Sequence, residues 1–278
     1  MPIIPPRLVA PSAVIGRRVA GAVVLIVSQI ALFMLLFQAY KLVRKTFIQR
    51  AETVAYDHAL QIIRWQDRLG LNIELDLQRR VLEHDWAIWF FNRYYTYFMW
   101  AFYACAIAAM LLAPVHYRWL RRVFIASMAL ALPWFALYPL APPRFMGQYG
   151  YPFVDTLAVY GPNYFSDSGL VQANRFAAMP SMHCGWTFIG SVMLAYAIPW
   201  KRLGLIVGAS HSALMWITVM VTGNHFVLDI VGGLLVAGMA FAVARALPAD
   251  RPGRWRRRVA RPRERVWTRS RAAGATQG

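Results

Sequence analysis

Apolar residues in this chain come in long runs, at 19–40, about 86–113, 119–141, 183–199, 203–222 and 225–247. Each approaches the ~20 residues with which an α-helix crosses the hydrocarbon of a bilayer. The pattern predicts an all-α polytopic membrane protein with six transmembrane helices. Between the first two runs the pattern changes. Residues 41–85 hold seven of the twelve acids and eight basic residues, interleaved with Ile62, Ile63, Trp65, Leu69, Leu71, Ile73, Leu75 and Leu77. That alternation predicts two amphipathic helices broken at Gly70, lying on the membrane surface or capping the bundle. Residues 142–182 are different again: a connection rich in Pro, Gly, Tyr and Asn, with no apolar run. Connections of that length are commonly functional. Residues 1–18 read as a disordered or interfacial N-terminal segment, and 248–278 as a basic tail, leaving 19–247 as the membrane domain. The first run is too long for the core of a signal peptide and no small-residue cleavage site follows it, so it reads as a retained span.

Composition supports this. The chain is 59% hydrophobic and 15% charged, against roughly a quarter charged for a soluble domain. Its net charge of +18 invites a nucleic-acid reading, but ten arginines fall between Arg251 and Arg271 against one acid, Glu264. A basic tail directly after a hydrophobic run marks a cytoplasmic terminus against anionic lipid, and no nucleic-acid partner is expected. Cys105 and Cys184 show no metal or disulfide spacing and read as buried small residues. Arginine outnumbers lysine 27 to 3, a composition of GC-rich bacterial genes that points to a bacterial plasma membrane.

Charge also orients the spans. Arg118, Arg121 and Arg122 in the 114–122 connection, Lys201 and Arg202 in the next short turn, and the tail belong on the cytoplasmic side. Both termini are then cytoplasmic, and 41–85, 142–182 and 222–224 are extracytoplasmic. This topology brings three separated stretches to one face: YPLAPPRF (Tyr138 to Phe145), NRFAAMPSMHCG (Asn174 to Gly185) and TGNHFVLD (Thr222 to Asp229).

Those stretches carry a coherent chemistry. His225 and Asp229 are spaced i, i+4, which places them on one helix face. A carboxylate one turn into a bilayer helix is costly and is usually paired or functional. Asp229 accepting a proton from one imidazole nitrogen fixes the tautomer and leaves the other nitrogen a lone pair for attack. A helix N-terminus at His225 disfavours imidazolium and attracts phosphate. His183, with Ser181 as N-cap of the preceding turn, stands ready to protonate a leaving alkoxide. Arg144 offers a planar fork to phosphate oxygens, with Arg175 as a second clamp. Other readings of the same residues stand beside this one. His225 with Asp229 also fits a polar pair joining helices, Arg144 an interfacial anchor, and Ser181 a cap alone. His183, His225 and Asp229 also fit a two-histidine, one-carboxylate metal site. His58, His84, His116 and His211 read as packing residues.

PLAPPRFM, AAMPSMHCGW and TGNHFVLDIVGG, in that order and at those separations, resemble the type 2 phosphatidic acid phosphatase (PAP2) superfamily. The segment RWQDRLGLNIELDLQ (Arg64 to Gln78) is similar to the branch containing inositol phosphorylceramide synthases. The resemblance covers roughly residues 60 to 245. It implies a six-helix bundle with its site at the outer helix ends, and a two-step phosphoryl transfer with no metal and no other cofactor. In that scheme His225 becomes a phosphohistidine, Asp229 orients it, and His183 serves the leaving group and then the acceptor. Arg144, Ser181, Arg175 and Asn224 are the expected phosphate-binding residues. The chain departs from the phosphatase pattern at three positions. Leu137 stands where the family has lysine, Val219 where it has arginine, and Met182 where it has glycine.

The function expected is a membrane phosphotransferase that takes a phospholipid or polyprenyl phosphate as donor. A lipid phosphate or pyrophosphate phosphatase differs only in using water as acceptor. A lipid-binding or transport protein on the same fold would need no chemistry.

Overall fold

The computed structural model of the chain describes residues 11–47, 52–162 and 175–247. Residues 1–10, part of the 142–182 connection and the basic tail 248–278 lie outside the described residues. Among the described residues, nine α-helices follow in order: α1 Pro11–Phe47, α2 Glu52–Leu69, α3 Glu74–Leu82, α4 Asp85–Leu112, α5 Pro114–Leu137, α6 Thr156–Tyr160, α7 Met182–Ala197, α8 Lys201–Val221 and α9 Val227–Ala246, with a 3-10 helix at Pro143–Tyr149. Contacts divide the chain into Met1–Ala244 and Arg245–Gly278. Of the second unit only 245–247 are described, the end of α9 and one residue after it.

The chain is an all-α polytopic membrane protein. α4, α5, α8 and α9 are each long and apolar enough to cross a bilayer. The described apolar stretch of α1, Val23–Ala39, is shorter. α7 has 16 residues, about 24 Å of helix against a hydrocarbon thickness of about 30 Å. It packs against α4, α5 and α8, so it is lined by protein.

The structure adds to three sequence expectations. The N-terminal segment read as disordered or interfacial is helical from Pro11. The arginines assigned to a 114–122 loop lie instead in the opening turns of α5. Pro114 stands at the start of that helix, where a missing N–H costs nothing, and only Ala113 separates α4 from α5. Arg121 Nη1 and the Tyr117 hydroxyl both donate to Gln29 Oε1, at 2.9 and 3.1 Å, tying α5 to α1. The 142–182 connection has structure of its own, in the 3-10 helix and α6.

Two cores hold the described residues. In the first, the Phe124 ring lies 4.7 Å from Phe102, 5.1 Å from Phe33 and 5.3 Å from Trp186. The Trp186 indole N–H donates to Ser127 Oγ at 3.1 Å, so its polar end is satisfied. The second core joins Ala55, Ala59, Ile62 and Ile63 of α2 to Leu140, Ala141, Met146, Ala178 and Phe226. Of the two placements open to the amphipathic segment, α2 therefore caps the bundle over the motif-bearing loops. Gly70, at φ +64, closes α2 as expected. His58 Nδ1–H donates to Pro139 O at 2.8 Å and its ring stacks on Tyr138, and His211 Nδ1 pairs with Ser191 Oγ at 2.9 Å. Both cysteines are buried and free.

α7 and α9 approach through glycines. A β-carbon on Gly233 would clash with the Ser181 carbonyl oxygen, and one on Gly185 would lie 2.8 Å from Gly233 O. That closeness lets Ser181 N–H donate to Asp229 O at 2.9 Å. Gly233→Ala is expected to lower stability by about the 1–3 kcal/mol of overpacking. A thermal melt in detergent reads it, and a parental midpoint would show that the helices separate freely.

Candidate active site

The three motifs are knitted together by backbone hydrogen bonds. Leu140 N–H donates to Phe176 O at 2.8 Å and Ala178 N–H to Leu140 O at 3.2 Å, a single parallel bridge joining the first motif to the second. Arg144 N–H donates to Gly223 O at 2.9 Å, joining first to third. Ser181 N–H to Asp229 O joins second to third. Sequence reasoning expected Arg144, His183 and His225 at one end of the bundle, and the structure brings them there.

TGN ends α8 in a specific way. Gly223 has φ +67, a conformation glycine adopts at no steric cost. Its N–H donates to Met220 O at 2.9 Å and Asn224 N–H to Val219 O at 3.0 Å. This is a Schellman cap, which satisfies the carbonyls that a helix end leaves open. His225 N–H adds a third bond, to Val219 O at 3.1 Å. His225 was expected in the first turn of a helix. It stands instead in the joint between two helices, because the α8 cap claims its amide and α9 begins at Val227. Its pairing with Asp229 thus arises from a turn. Phe226 N–H donates to Asp229 Oδ2 at 2.9 Å, and that same oxygen lies 3.4 Å from His225 Nδ1. This distance is longer than that of a good hydrogen bond. His225 is 5% exposed and Asp229 fully buried.

His183 lies in the first turn of α7. Its ring stacks on Tyr95 at 4.2 Å and tilts against Phe98 at 4.1 Å. The two imidazole centroids are 5.6 Å apart. Ser181 is the N-cap of α7, as expected, its Oγ accepting from Cys184 N–H at 3.5 Å. Its side chain is fully buried.

Arg144 is buried in the 3-10 helix. Its Nη1 donates to Asn224 Oδ1, and Nε lies 3.3 Å from Asp155 Oδ2. Asn224 is held in turn by Thr222, its Nδ2 donating to Thr222 Oγ1 at 2.8 Å. Arg144 Cζ lies 4.6 Å from the Phe145 centroid and Arg175 Cζ 5.1 Å from the same ring. Arg175 is exposed, so the second guanidinium stands at the rim beside the first. Leu137 and Val219 carry no charge to the site: Leu137 is 81% exposed at the end of α5, and Val219 is buried.

Sequence reasoning missed four contributors. Asp155 pairs with Arg144, and Tyr95 backs His183. Glu74 and Gln66 of the amphipathic segment reach the start of α9. Val227 N–H donates to Glu74 Oε1 at 2.7 Å and Leu228 N–H to Gln66 Oε1 at 2.9 Å. With Phe226 N–H taken by Asp229, the opening amides of α9 all have protein acceptors. α9 was expected to attract phosphate through its N-terminus; its opening amides are instead occupied. Burial pushes the Glu74 carboxyl above its ordinary pKa, while its bonds from Gln66 and Val227 work the other way. Among the described residues, no group of three or more His, Cys, Asp or Glu side chains is arranged to hold a metal ion.

A profile of the PAP2 superfamily matches residues 60–243, from α2 through most of α9. The chain is 28% identical over 125 residues to the inositol phosphorylceramide synthase catalytic subunit aur1 of Schizosaccharomyces pombe. That stretch covers 40% of this chain and 28% of the relative's length. No solved structure matches the chain significantly.

Proposed function

The chain belongs to the PAP2 superfamily, whose members are phosphatases or phosphotransferases, and on that premise we propose that it is a membrane phosphotransferase. It moves a phosphate-containing headgroup from a phospholipid or polyprenyl donor to a lipid or glycan acceptor, at the extracytoplasmic face. The observation that carries this reading is the His225–Asp229 pair, 3.4 Å apart, with a second imidazole 5.6 Å from the first.

The steps balance as follows. Asp229 holds the proton on His225 Nδ1, and the Nε2 lone pair attacks phosphorus. The bond from phosphorus to the leaving oxygen breaks, and protonated His183 gives that oxygen its proton. The acceptor hydroxyl then loses a proton to His183 as its oxygen attacks. The bond from nitrogen to phosphorus breaks, and both histidines return to their starting states. Arg144, fixed by Asn224 and Asp155, presents its guanidinium to charge on the transferred group. Arg175, Ser181 and Asn224 complete the proposed phosphate pocket. The uncharged residues at 137 and 219 and the relative's printed activity, a synthase, support transfer over hydrolysis. Water as acceptor in the second step gives a phosphatase with the same covalent half-reaction.

Product analysis tests this. Purified protein in mixed-lipid vesicles receives headgroup- and phosphate-labelled lipids, with and without candidate acceptors. Label is expected on a second lipid or glycan, with EDTA leaving the rate unchanged. Release of free phosphate alone would make it a phosphatase, and full loss in EDTA restored by zinc would replace the histidine mechanism with a metal one.

A further inference from the structure

α2 and α3 send two buried polar side chains to the same place. Gln66 is fully buried and Glu74 is 2% exposed. Gln66 Nε2 donates to Glu74 Oε1 at 2.7 Å and to Asn72 Oδ1 at 2.9 Å, which locks the pair together. Each then presents an oxygen to one opening amide of α9, Glu74 to Val227 and Gln66 to Leu228. A carboxylate is expensive to bury. Apolar packing of α2 against the second core already holds this end of the bundle. The polar pair adds control of the direction in which Val227 and Leu228 point.

His225 is two residues before Val227. Its own amide is fixed by the α8 cap, so its chain is clamped on both sides. One clamp is Val219 O from α8; the other is Asp229, Glu74 and Gln66 at α9. A rotation of residues 226–228 would open the 3.4 Å approach of His225 Nδ1 to Asp229 Oδ2 and loosen control of the tautomer. We propose that Glu74 and Gln66 are positioning residues for the His225–Asp229 pair, so that the amphipathic helices belong to the catalytic apparatus. Its kinetic consequence rests on His225 being the nucleophile; its geometric consequence does not.

The test uses the full chain in lipid nanodiscs, with Glu74→Ala, Glu74→Gln and Gln66→Ala. His225→Ala is the reference and Asp76→Ala the control. Asp76 is an exposed carboxylate on α3 that lies 3.6 Å from Arg79. Glu74→Ala is expected to lower kcat by about the 10²-fold that a misplacement of roughly an ångström costs, with donor KM little changed. Glu74→Gln keeps an oxygen for Val227 N–H and is expected to recover most of that loss. The second readout is nitrogen NMR of histidine-labelled protein, in which His225 is the resonance absent from His225→Ala. Its Nδ1 and Nε2 shifts are expected to move in Glu74→Ala and Gln66→Ala, while those of His116 do not.

A loss confined to folding would leave kcat per folded molecule and the His225 shifts at parental values, which overturns the proposal. Should Glu74→Ala not fold, Glu74→Gln and Gln66→Ala carry the same two readouts. Activity surviving in His225→Ala would sink the nucleophile assignment instead, and the histidine shifts alone would then decide whether Glu74 and Gln66 set the geometry.

Discussion

His225→Ala is expected to lower turnover by about 10⁴-fold or more, because it removes the attacking atom and not merely an acid or base. The same variant is expected to lose any phosphate trapped on the protein in base-stable, acid-labile form. The substitution leaves the backbone bonds around it in place. His225 N–H donates to Val219 O, a bond alanine keeps, and the α9 amides are held by Asp229, Glu74 and Gln66 without help from the imidazole. The fold should therefore survive, but the buried Asp229 carboxylate loses its imidazole partner, so the melting midpoint is expected to fall and turnover is read per folded molecule. His183→Ala separates the two histidines. A nucleophile that survives without its proton donor still accumulates phosphate on His225 from donors with good leaving groups, while transfer to an acceptor fails. Trapped phosphate persisting in His225→Ala would remove His225 from the covalent step. Parental turnover there would favour a protein that binds or carries lipid on this fold.

What was legible in the chain divides along a physical line. Lipid tolerates few backbone arrangements, so apolar runs announced the spans, and arginine placement predicted which ends gather. Arg144, His183 and His225 were found that way. The i, i+4 spacing of His225 and Asp229 correctly paired them for a partly wrong reason. Gly223 at a helix end signals an αL cap, and such a cap pushes the next helix start beyond His225. Glu74 and Gln66 left no local signal. On an amphipathic helix a polar residue reads as solvent-facing, and their burial follows only from meeting amides of α9, 153 and 162 residues away. Asp155 was hidden for the same reason, as a loop carboxylate whose partner lies in another motif. The resemblance of RWQDRLGLNIELDLQ to one family branch marked that segment without saying what its side chains do.

Arg144 carries the second large expectation. Among the described residues it is the buried guanidinium of the site, and Leu137 and Val219 supply no charge in its support. Arg144→Ala is expected to cost about 10²–10³-fold in kcat, the range for losing a donor aimed at developing charge. It would also leave the buried Asn224 Oδ1 without the donor it now has, at about 1–3 kcal/mol of stability. The two effects separate experimentally. A melt reads the second, and kcat per folded molecule reads the first. Arg144→Lys keeps the charge, but an ammonium cannot bond Asn224 and Asp155 while also offering a flat pair of donors to phosphate. Its activity is expected to fall between alanine and arginine. Methylguanidinium added to Arg144→Ala restores the planar fork without the tether, so a concentration-dependent recovery is expected there and none in His225→Ala. If Arg144 instead anchors the chain at the membrane interface, lysine would serve as well as arginine, and the added guanidinium would do nothing. Full activity in Arg144→Lys would therefore reject Arg144 as a phosphate clamp, and would move that duty to Arg175 at the rim.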